Sequence, residues 1–167
     1  MRSALFVLAC CSVCWAGGPD VASQKLLPPD TALPGWKTVA GSDVSVTGDG
    51  LQQLYDGGFE VWTNAGVLGA SQRMYRAADK SYLTLVVHSM RDSKAAATFL
   101  EYWRKQQKAP AATPLASGKV FVFSEAGATN GYWAGKSVYA TASVNRQTAA
   151  ARKAVNEALK AVASRIR

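Results

Sequence analysis

His88, the one histidine of the chain, is the residue that most invites a catalytic hypothesis. Ser89 follows it directly and Asp92 comes shortly after, so the residue types of a Ser-His-Asp triad occur close together. Adjacent side chains of a β-strand point to opposite faces, however, so Ser89 cannot meet His88 across one strand. The chain also lacks a Gly-x-Ser-x-Gly motif. We therefore favour no catalytic residue and keep a hydrolase centred on His88, with Asp92 or Asp56, as an alternative.

Metal and cofactor chemistry has little support in the residue types. The three cysteines (Cys10, Cys11 and Cys14) lie at the extreme N-terminus, and a single histidine leaves carboxylates as the remaining metal ligands. Those carboxylates lack the spacing of a calcium loop. The Gly57-Gly58 pair is no phosphate loop either, because no Lys-Ser/Thr pair follows it. We predict neither a metal nor a cofactor.

Aromatic residues beside glycines give the best hint of a binding site. Tyr132 and Trp133 are adjacent in a predicted hairpin, so their rings must lie on opposite faces and one of them can be exposed. A second candidate is the elbow at Asp56, Gly57 and Gly58, where a predicted helix is interrupted. Exposed aromatic rings are typical of recognition surfaces. These five residues form the predicted binding rim, for a protein or a glycan.

Hydropathy patterns predict the elements that would position these residues. A helix is predicted over 49–56, and strands over 69–77 and 80–90. The second strand has apolar residues on both faces, which is typical of a central strand covered on both sides. One face has Tyr82, Val86, His88 and Met90, and the other has Leu83, Leu85 and Val87.

The second half of the chain continues with a helix over 93–108 that is capped by Asp92 or Ser93. Three strands (119–124, 130–134 and 136–144) and a last helix over 148–166 follow. Strands joined by short turns are antiparallel, so we predict an α+β fold in which helices pack on a curved antiparallel sheet. A single domain is expected over 36–167, preceded by a tether over 17–35 that is rich in Gly, Pro and small residues.

The N-terminus has the three parts of a removable export signal. A positive start at Arg2 is followed by an apolar run over 4–13 and a small-residue exit at Ala16. The run is too short for a membrane span, which needs about 20 residues. We predict a signal peptide over 1–16 with cleavage near Ala16, and an exported (periplasmic or secreted) chain without a transmembrane span. Cleavage there would also remove every cysteine.

A different N-terminus is possible in principle, because Val7-Leu8-Ala9-Cys10 resembles a bacterial lipoprotein box. In such a box the cysteine becomes the lipidated first residue of the mature protein. A lipoprotein anchored at Cys10 is therefore the alternative to cleavage near Ala16.

The chain is basic, with 19 Lys and Arg against 11 Asp and Glu. The basic residues are thinly spread, whereas nucleic-acid-binding proteins have dense basic stripes with interleaved aromatics. No nucleic-acid partner is predicted. Association with anionic envelope components is a further alternative, because the last helix collects Arg152, Lys153, Lys160, Arg165 and Arg167.

Several motifs resemble the DUF-6599 family of exported bacterial domains. The segments 26–28 (Leu-Leu-Pro) and 34–36 (Pro-Gly-Trp) resemble its opening, and 54–60 (Leu-Tyr-Asp-Gly-Gly-Phe-Glu) resembles its glycine-pair segment. Asp56 stands where the family usually has asparagine. The resemblance covers about residues 26–166; it implies export and an α+β fold, and it transfers no catalytic residue. In element order alone, the chain is also similar to the PsbP-like and Mog1-like sandwiches.

The favoured function is thus a non-catalytic binding or accessory domain of the cell envelope with a protein or glycan partner. The oligomeric state stays open, and a monomer is compatible with the sequence.

Overall fold

The computed structural model describes residues 22–55 and 58–166, so the predicted export signal lies outside the described residues. The described part contains eight strands, three α-helices and three 3-10 helices. The strands are β1 (Trp36–Thr38), β2 (Val44–Thr47), β3 (Val67–Ala77), β4 (Tyr82–Met90), β5 (Thr113–Leu115), β6 (Gly118–Glu125), β7 (Ala128–Gly135) and β8 (Val138–Val144). The helices are α1 (Phe59–Asn64), α2 (Ser93–Gln106) and α3 (Ala149–Ala163), with 3-10 helices over Ala22–Leu26, Asp30–Ala32 and Gly48–Gln53.

The strands form one open antiparallel sheet in the order β1-β3-β4-β8-β7-β6-β5, and β2 also pairs with β3. Helix α2 takes the chain from β4 to the opposite edge, and β5 to β8 return as a meander that ends beside β4. The predicted α+β class, with helices packed on an antiparallel sheet in a single domain, is confirmed. The short edge strand β5 was not predicted; it contains Pro114, a residue that sheets tolerate at their edges.

The sheet is covered on both faces, as the pattern of β4 predicts. Leu83, Leu85 and Val87 are fully buried in a cluster that includes the apolar stripe of α3. His88 is also fully buried, and Met90 joins the second cluster, which includes α2. The packing of α3 is especially close at Gly131 of β7, where a Cβ atom would lie 2.3 Å from Val155 Cγ1.

Side-chain caps fix the starts of the two long helices. The Asp92 carboxylate accepts a hydrogen bond from the Ala95 N–H at 2.7 Å, which identifies Asp92 as the cap of α2. Thr148 Oγ1 accepts from the Ala151 N–H at 3.1 Å in the same way at the start of α3. The predicted helix over 49–56 is instead a 3-10 helix over Gly48–Gln53. Gly48 and Gly50 explain the difference, because glycine disfavours the α-helix.

The predicted tether is wrong for residues 22–35, which pack against the sheet. Leu27 and Leu33 are buried in the α3-side cluster. The Tyr75 hydroxyl donates to the Pro28 carbonyl at 2.6 Å, and Ser23 Oγ lies 2.9 Å from Ser71 Oγ. The Gly and Pro content of this segment predicted a tether, but its packing depends on two apolar side chains, Leu27 and Leu33, which an overall composition does not reveal.

Candidate binding site

The structure places the predicted rim residues in different environments. Trp133 is wrong as a rim residue: its side chain is 0% exposed, and its indole N–H donates to the Leu115 carbonyl at 3.0 Å. Its ring lies so close to Gly135 that a Cβ atom there would be 2.5 Å from Trp133 Cζ2. Tyr132 faces the opposite side of the sheet and is half-buried. Gly58 is exposed with φ 68°, and Asp56 and Gly57 lie outside the described residues.

Tyr132 lines a small cleft on the α2 side of the sheet, which we call the aromatic cleft. It has a volume of about 210 Å³. Tyr55, the residue before the predicted elbow, also lines it, so the two regions that the sequence singled out meet here. The lining residues are Tyr55, Trp62, Trp103, Asn130, Gly131, Tyr132, Thr141, Ala142 and Ser143.

Stacked rings form the walls of the aromatic cleft. The Tyr55 and Trp62 rings are 4.1 Å apart with an interplanar angle of 10°, and those of Trp103 and Tyr132 are 6.3 Å apart at 26°. Trp62 and Trp103 connect the two pairs, with ring centroids 5.6 Å apart. Offset stacks of this kind hold aromatic side chains in defined positions, so the walls are organised without a ligand.

Uncharged polar side chains on two neighbouring strands complete the lining. Asn130 pairs in register with Ser143, and Tyr132 with Thr141. Directly opposed residues of an antiparallel pair project to the same face, so these polar groups lie side by side. None of the described residues that line the aromatic cleft is charged. The lining therefore offers hydrogen bonds and aromatic faces.

His88 lies beneath this aromatic group, and both its ring nitrogens have partners. Nδ1 is 3.0 Å from the Tyr139 carbonyl oxygen, so it must donate to that acceptor. Nε2 is then the acceptor of the Tyr55 hydroxyl. Burial lowers the pKa of His88 to about 4, against a smaller opposing effect of the hydrogen bond to Tyr139. The imidazole is neutral at physiological pH and orients Tyr55.

This arrangement does not provide the catalytic centre of the hydrolase alternative. His88 is 0% exposed and stacks on Trp62, with ring centroids 4.9 Å apart. Asp92 is exposed and its carboxylate bonds to Ala95 and Arg91, so the predicted His88–Asp92 pair is not formed. Asp56, the other proposed partner, lies outside the described residues. With its base nitrogen engaged by Tyr55, His88 has no vacant lone pair for proton abstraction.

Two buried polar atoms near the aromatic cleft have no hydrogen-bond partner within residues 22–55 and 58–166: Trp103 Nε1 and the Tyr139 hydroxyl. The pKa of Tyr139 is well above its usual value, mainly through burial, with smaller contributions from Tyr132 and Tyr55. Those two tyrosines line the cleft. Buried donors without partners are rare in folded proteins, and they mark places where a ligand or water completes the structure.

Sequence reasoning missed three of the four aromatic residues of the cleft. Tyr55 lies in the predicted helix over 49–56 and Trp103 in the predicted helix over 93–108, and neither they nor Trp62 were singled out as binding residues. Their residue types were the only available signal, because the approach of α2, α1 and the sheet is a tertiary feature.

The basic residues of the last helix behave as predicted surface groups: Arg152, Lys153, Lys160 and Arg165 are exposed.

The fold and the cleft define a class: an α+β domain with one open antiparallel sheet and an uncharged aromatic site on one face. The chain is similar in fold to a solved structure, the extracellular domain of PknH from Mycobacterium tuberculosis. The TM-score is 0.54 at 10% identity, over 86% of this chain and 97% of that one. The likeness shows the fold. No family model and no curated protein matches the chain.

Among the described residues, no helix is both long and apolar enough to cross a bilayer.

Proposed function

We propose that this chain is an exported, non-catalytic binding domain of the cell envelope, and that its aromatic cleft holds one sugar ring of an envelope glycan. The composition of the cleft carries the proposal. Its described lining has four aromatic side chains, three hydroxyl or amide side chains and no charged group.

A sugar ring matches this lining in its chemistry. It has an apolar C–H face that packs on aromatic rings, and hydroxyl groups that both donate and accept hydrogen bonds. Asn130, Thr141 and Ser143 can also donate and accept. A ligand hydroxyl that reached Trp103 Nε1 or the Tyr139 hydroxyl would satisfy a buried group that otherwise lacks a partner. The volume of about 210 Å³ suits one ring rather than a chain of rings.

Export is supported by three observations of different kinds. The sequence has an apolar run over 4–13 followed by Ala16. Its motifs resemble the exported DUF-6599 family, and membership in that family remains part of this proposal. The solved structure with a similar fold is an extracellular domain.

Mass spectrometry of the protein from a bacterial host with an intact export pathway tests this location. We expect a mature chain that starts at Gly17, directly after Ala16. A diacylglyceryl group on Cys10 would instead establish the lipoprotein alternative. An uncleaved Met1 in the envelope fraction would contradict both.

Tryptophan fluorescence tests ligand binding, because Trp62 and Trp103 line the aromatic cleft. We expect neutral mono- and disaccharides of the envelope type, such as N-acetylhexosamines, to change the emission in a saturable way. Tyr132→Ala should weaken binding roughly tenfold, since an aromatic contact is worth about 0.5–1.5 kcal/mol beyond its buried area.

Tyr102→Ala is the matched control, because Tyr102 is an exposed tyrosine that does not line the cleft. It should leave sugar affinity unchanged. Equal losses in the two variants, or saturable binding that Tyr132→Ala leaves intact, would contradict the assignment of the aromatic cleft.

A further inference from the structure

A second and larger concavity lies between α1 and the N-terminal half of α2, and we call it the α1–α2 groove. Its volume is about 680 Å³, within the range of roughly 300–1,000 Å³ that is typical of small-molecule sites. It shares no lining residue with the aromatic cleft. The lining residues are Val61, Asn64, Ala65, Arg91, Asp92, Lys94, Ala95, Thr98, Phe99 and Tyr102.

Exposed apolar side chains concentrate in this groove. Of the large apolar side chains in the described part of the chain, three are exposed: Val61 (39%), Leu68 (56%) and Tyr102 (40%). Val61 and Tyr102 both line the groove, from α1 and α2 respectively, and Phe99, a buried core residue, also lines it. An apolar ligand that covered these side chains would gain about 25 cal/mol for each Å² removed from water.

The charges that line the α1–α2 groove are unbalanced towards the positive. Asp92 is its one described acid, and that carboxylate accepts from the Ala95 N–H and, at 3.3 Å, from Arg91 Nε. The Lys94 ammonium forms no ion pair with a described residue. The groove thus combines an apolar surface with a cation that has no counter-ion among the described residues, whereas the described lining of the aromatic cleft has no charge.

We propose that the α1–α2 groove binds an amphiphile with a single acyl chain and an anionic head group. The acyl chain packs on Val61, Phe99 and Tyr102, and the head group pairs with Lys94 and Arg91. The head group is a carboxylate or a phosphate, since both suit an ammonium and a guanidinium. This site and the sugar site can each be occupied without the other.

Backbone chemistry favours an acyl chain over an extended peptide. The groove is lined by residues of the helices α1 and α2 and by Ala65, Arg91 and Asp92 beside them, and none of its described lining residues belongs to a strand. A bound peptide strand would find no sheet edge to pair with, and burial of its own amides without partners would cost free energy. A hydrocarbon chain has no such groups. Besides the Tyr102 hydroxyl, Asn64 and Thr98 are the uncharged polar side chains of the lining, too few to serve a peptide backbone.

Isothermal titration with the purified mature chain tests the proposal, with every probe below its micelle concentration. Dodecyl phosphate and laurate carry both required features. A dodecyl oligo(ethylene glycol) keeps the chain without the charge, and butyl phosphate keeps the charge without the long chain. We expect both anionic dodecyl probes to bind at least about tenfold more tightly than either of the other two, which corresponds to about 1.4 kcal/mol. The ratio between phosphate and laurate identifies the preferred head group.

Two variants and two matched controls separate the contributions of charge and chain. Lys94→Glu should weaken dodecyl phosphate binding about tenfold, and Lys119→Glu, an equally exposed lysine outside the groove, should not. Lys94→Glu is compatible with folding, because a carboxylate is favourable in the first turn of a helix. Tyr102→Ala should weaken both anionic dodecyl probes roughly fivefold through lost apolar contact, and Leu68→Ala should not.

Three results would overturn the proposal. The first is equal binding of the neutral and anionic dodecyl probes, and the second is butyl phosphate binding as tightly as dodecyl phosphate. The third is equal weakening by Lys94→Glu and Lys119→Glu, which would indicate attraction to overall charge rather than to this groove. None of them depends on sugar binding, so the two sites can fail independently.

Discussion

Neutral His88 organises the floor of the aromatic group through its two hydrogen bonds. Its Nδ1–H is held by the Tyr139 carbonyl and its Nε2 accepts from Tyr55, so a proton added to the ring would break the second bond. The side chains packed around it, Tyr55, Trp62 and Tyr139, offer no charge to stabilise an imidazolium. The sequence favoured no catalytic residue and left a hydrolase centred on His88 as an alternative, and the His88–Asp92 pair of that alternative is not formed.

The pH dependence of stability follows from that environment. The unfolded chain protonates His88 near pH 6.5, whereas the folded chain resists protonation down to a pKa of about 4. The contribution of neutral His88 is therefore complete above pH 6.5 and is lost as the pH falls towards 4, by about 3 kcal/mol. Urea unfolding at pH 7 and pH 4 should show this loss.

His88→Gln is the control for this prediction, since it removes the titrating group and should remove most of the difference between the two pH values. The exposed carboxylates Asp30, Asp79 and Asp92 have lowered pKa values, so their contributions are lost below about pH 3.8, outside this window. A pH difference that is the same in His88→Gln and the parent protein would assign it to other groups.

At the scale of elements, the sequence pattern predicted those features that depend on the residues of a single helix or strand. Alternation identified β4 as a doubly covered strand, Asp92 was one of the two caps predicted for α2, and the last helix was predicted to begin at Thr148, which caps α3. The 3-10 helices escaped prediction because they have too few residues for a period. The packing of segment 22–35 was missed because its Gly and Pro content indicated a tether. Tyr132 was predicted for the site, while Trp62 and Trp103 were not, because only tertiary packing brings them together.

The contact of α3 with the sheet gives an element-scale prediction. Gly131→Ala should destabilise the fold by about 1–3 kcal/mol, because the new Cβ atom would lie 2.3 Å from Val155 Cγ1 and 3.0 Å from Leu159 Cδ1. Val155→Ala removes the closer methyl group at its own cost in buried area. Urea unfolding should show that the double variant loses less stability than the sum of the losses in the two single variants. If the losses of stability were strictly additive, close packing of α3 against Gly131 would be contradicted.

At the scale of the whole molecule, the two faces of the sheet differ in whether they have the proposed binding sites. Helix α3 and segment 22–35 pack on one face of the sheet, and the buried cluster there includes Leu33 and Trp133 of β7. On the other face, α2 borders both proposed sites, with Trp103 at the aromatic cleft and Lys94 at the α1–α2 groove. α1 lies between them and contributes Trp62 to one and Val61 to the other. Both proposed sites thus lie on the α2 side of the sheet.

The packed N-terminal segment also sets how far the domain could reach from a membrane. If Cys10 carried a lipid, Ala22, the first described residue, would lie twelve residues further along the chain, and Ser23 already bonds to Ser71. A chain of this length extends at most about 3.3–3.6 Å per residue, or roughly 40 Å in all. An anchored form would sample ligands only within that layer above the bilayer. The form cleaved after Ala16 would not be limited to this distance from the bilayer and could diffuse through its compartment.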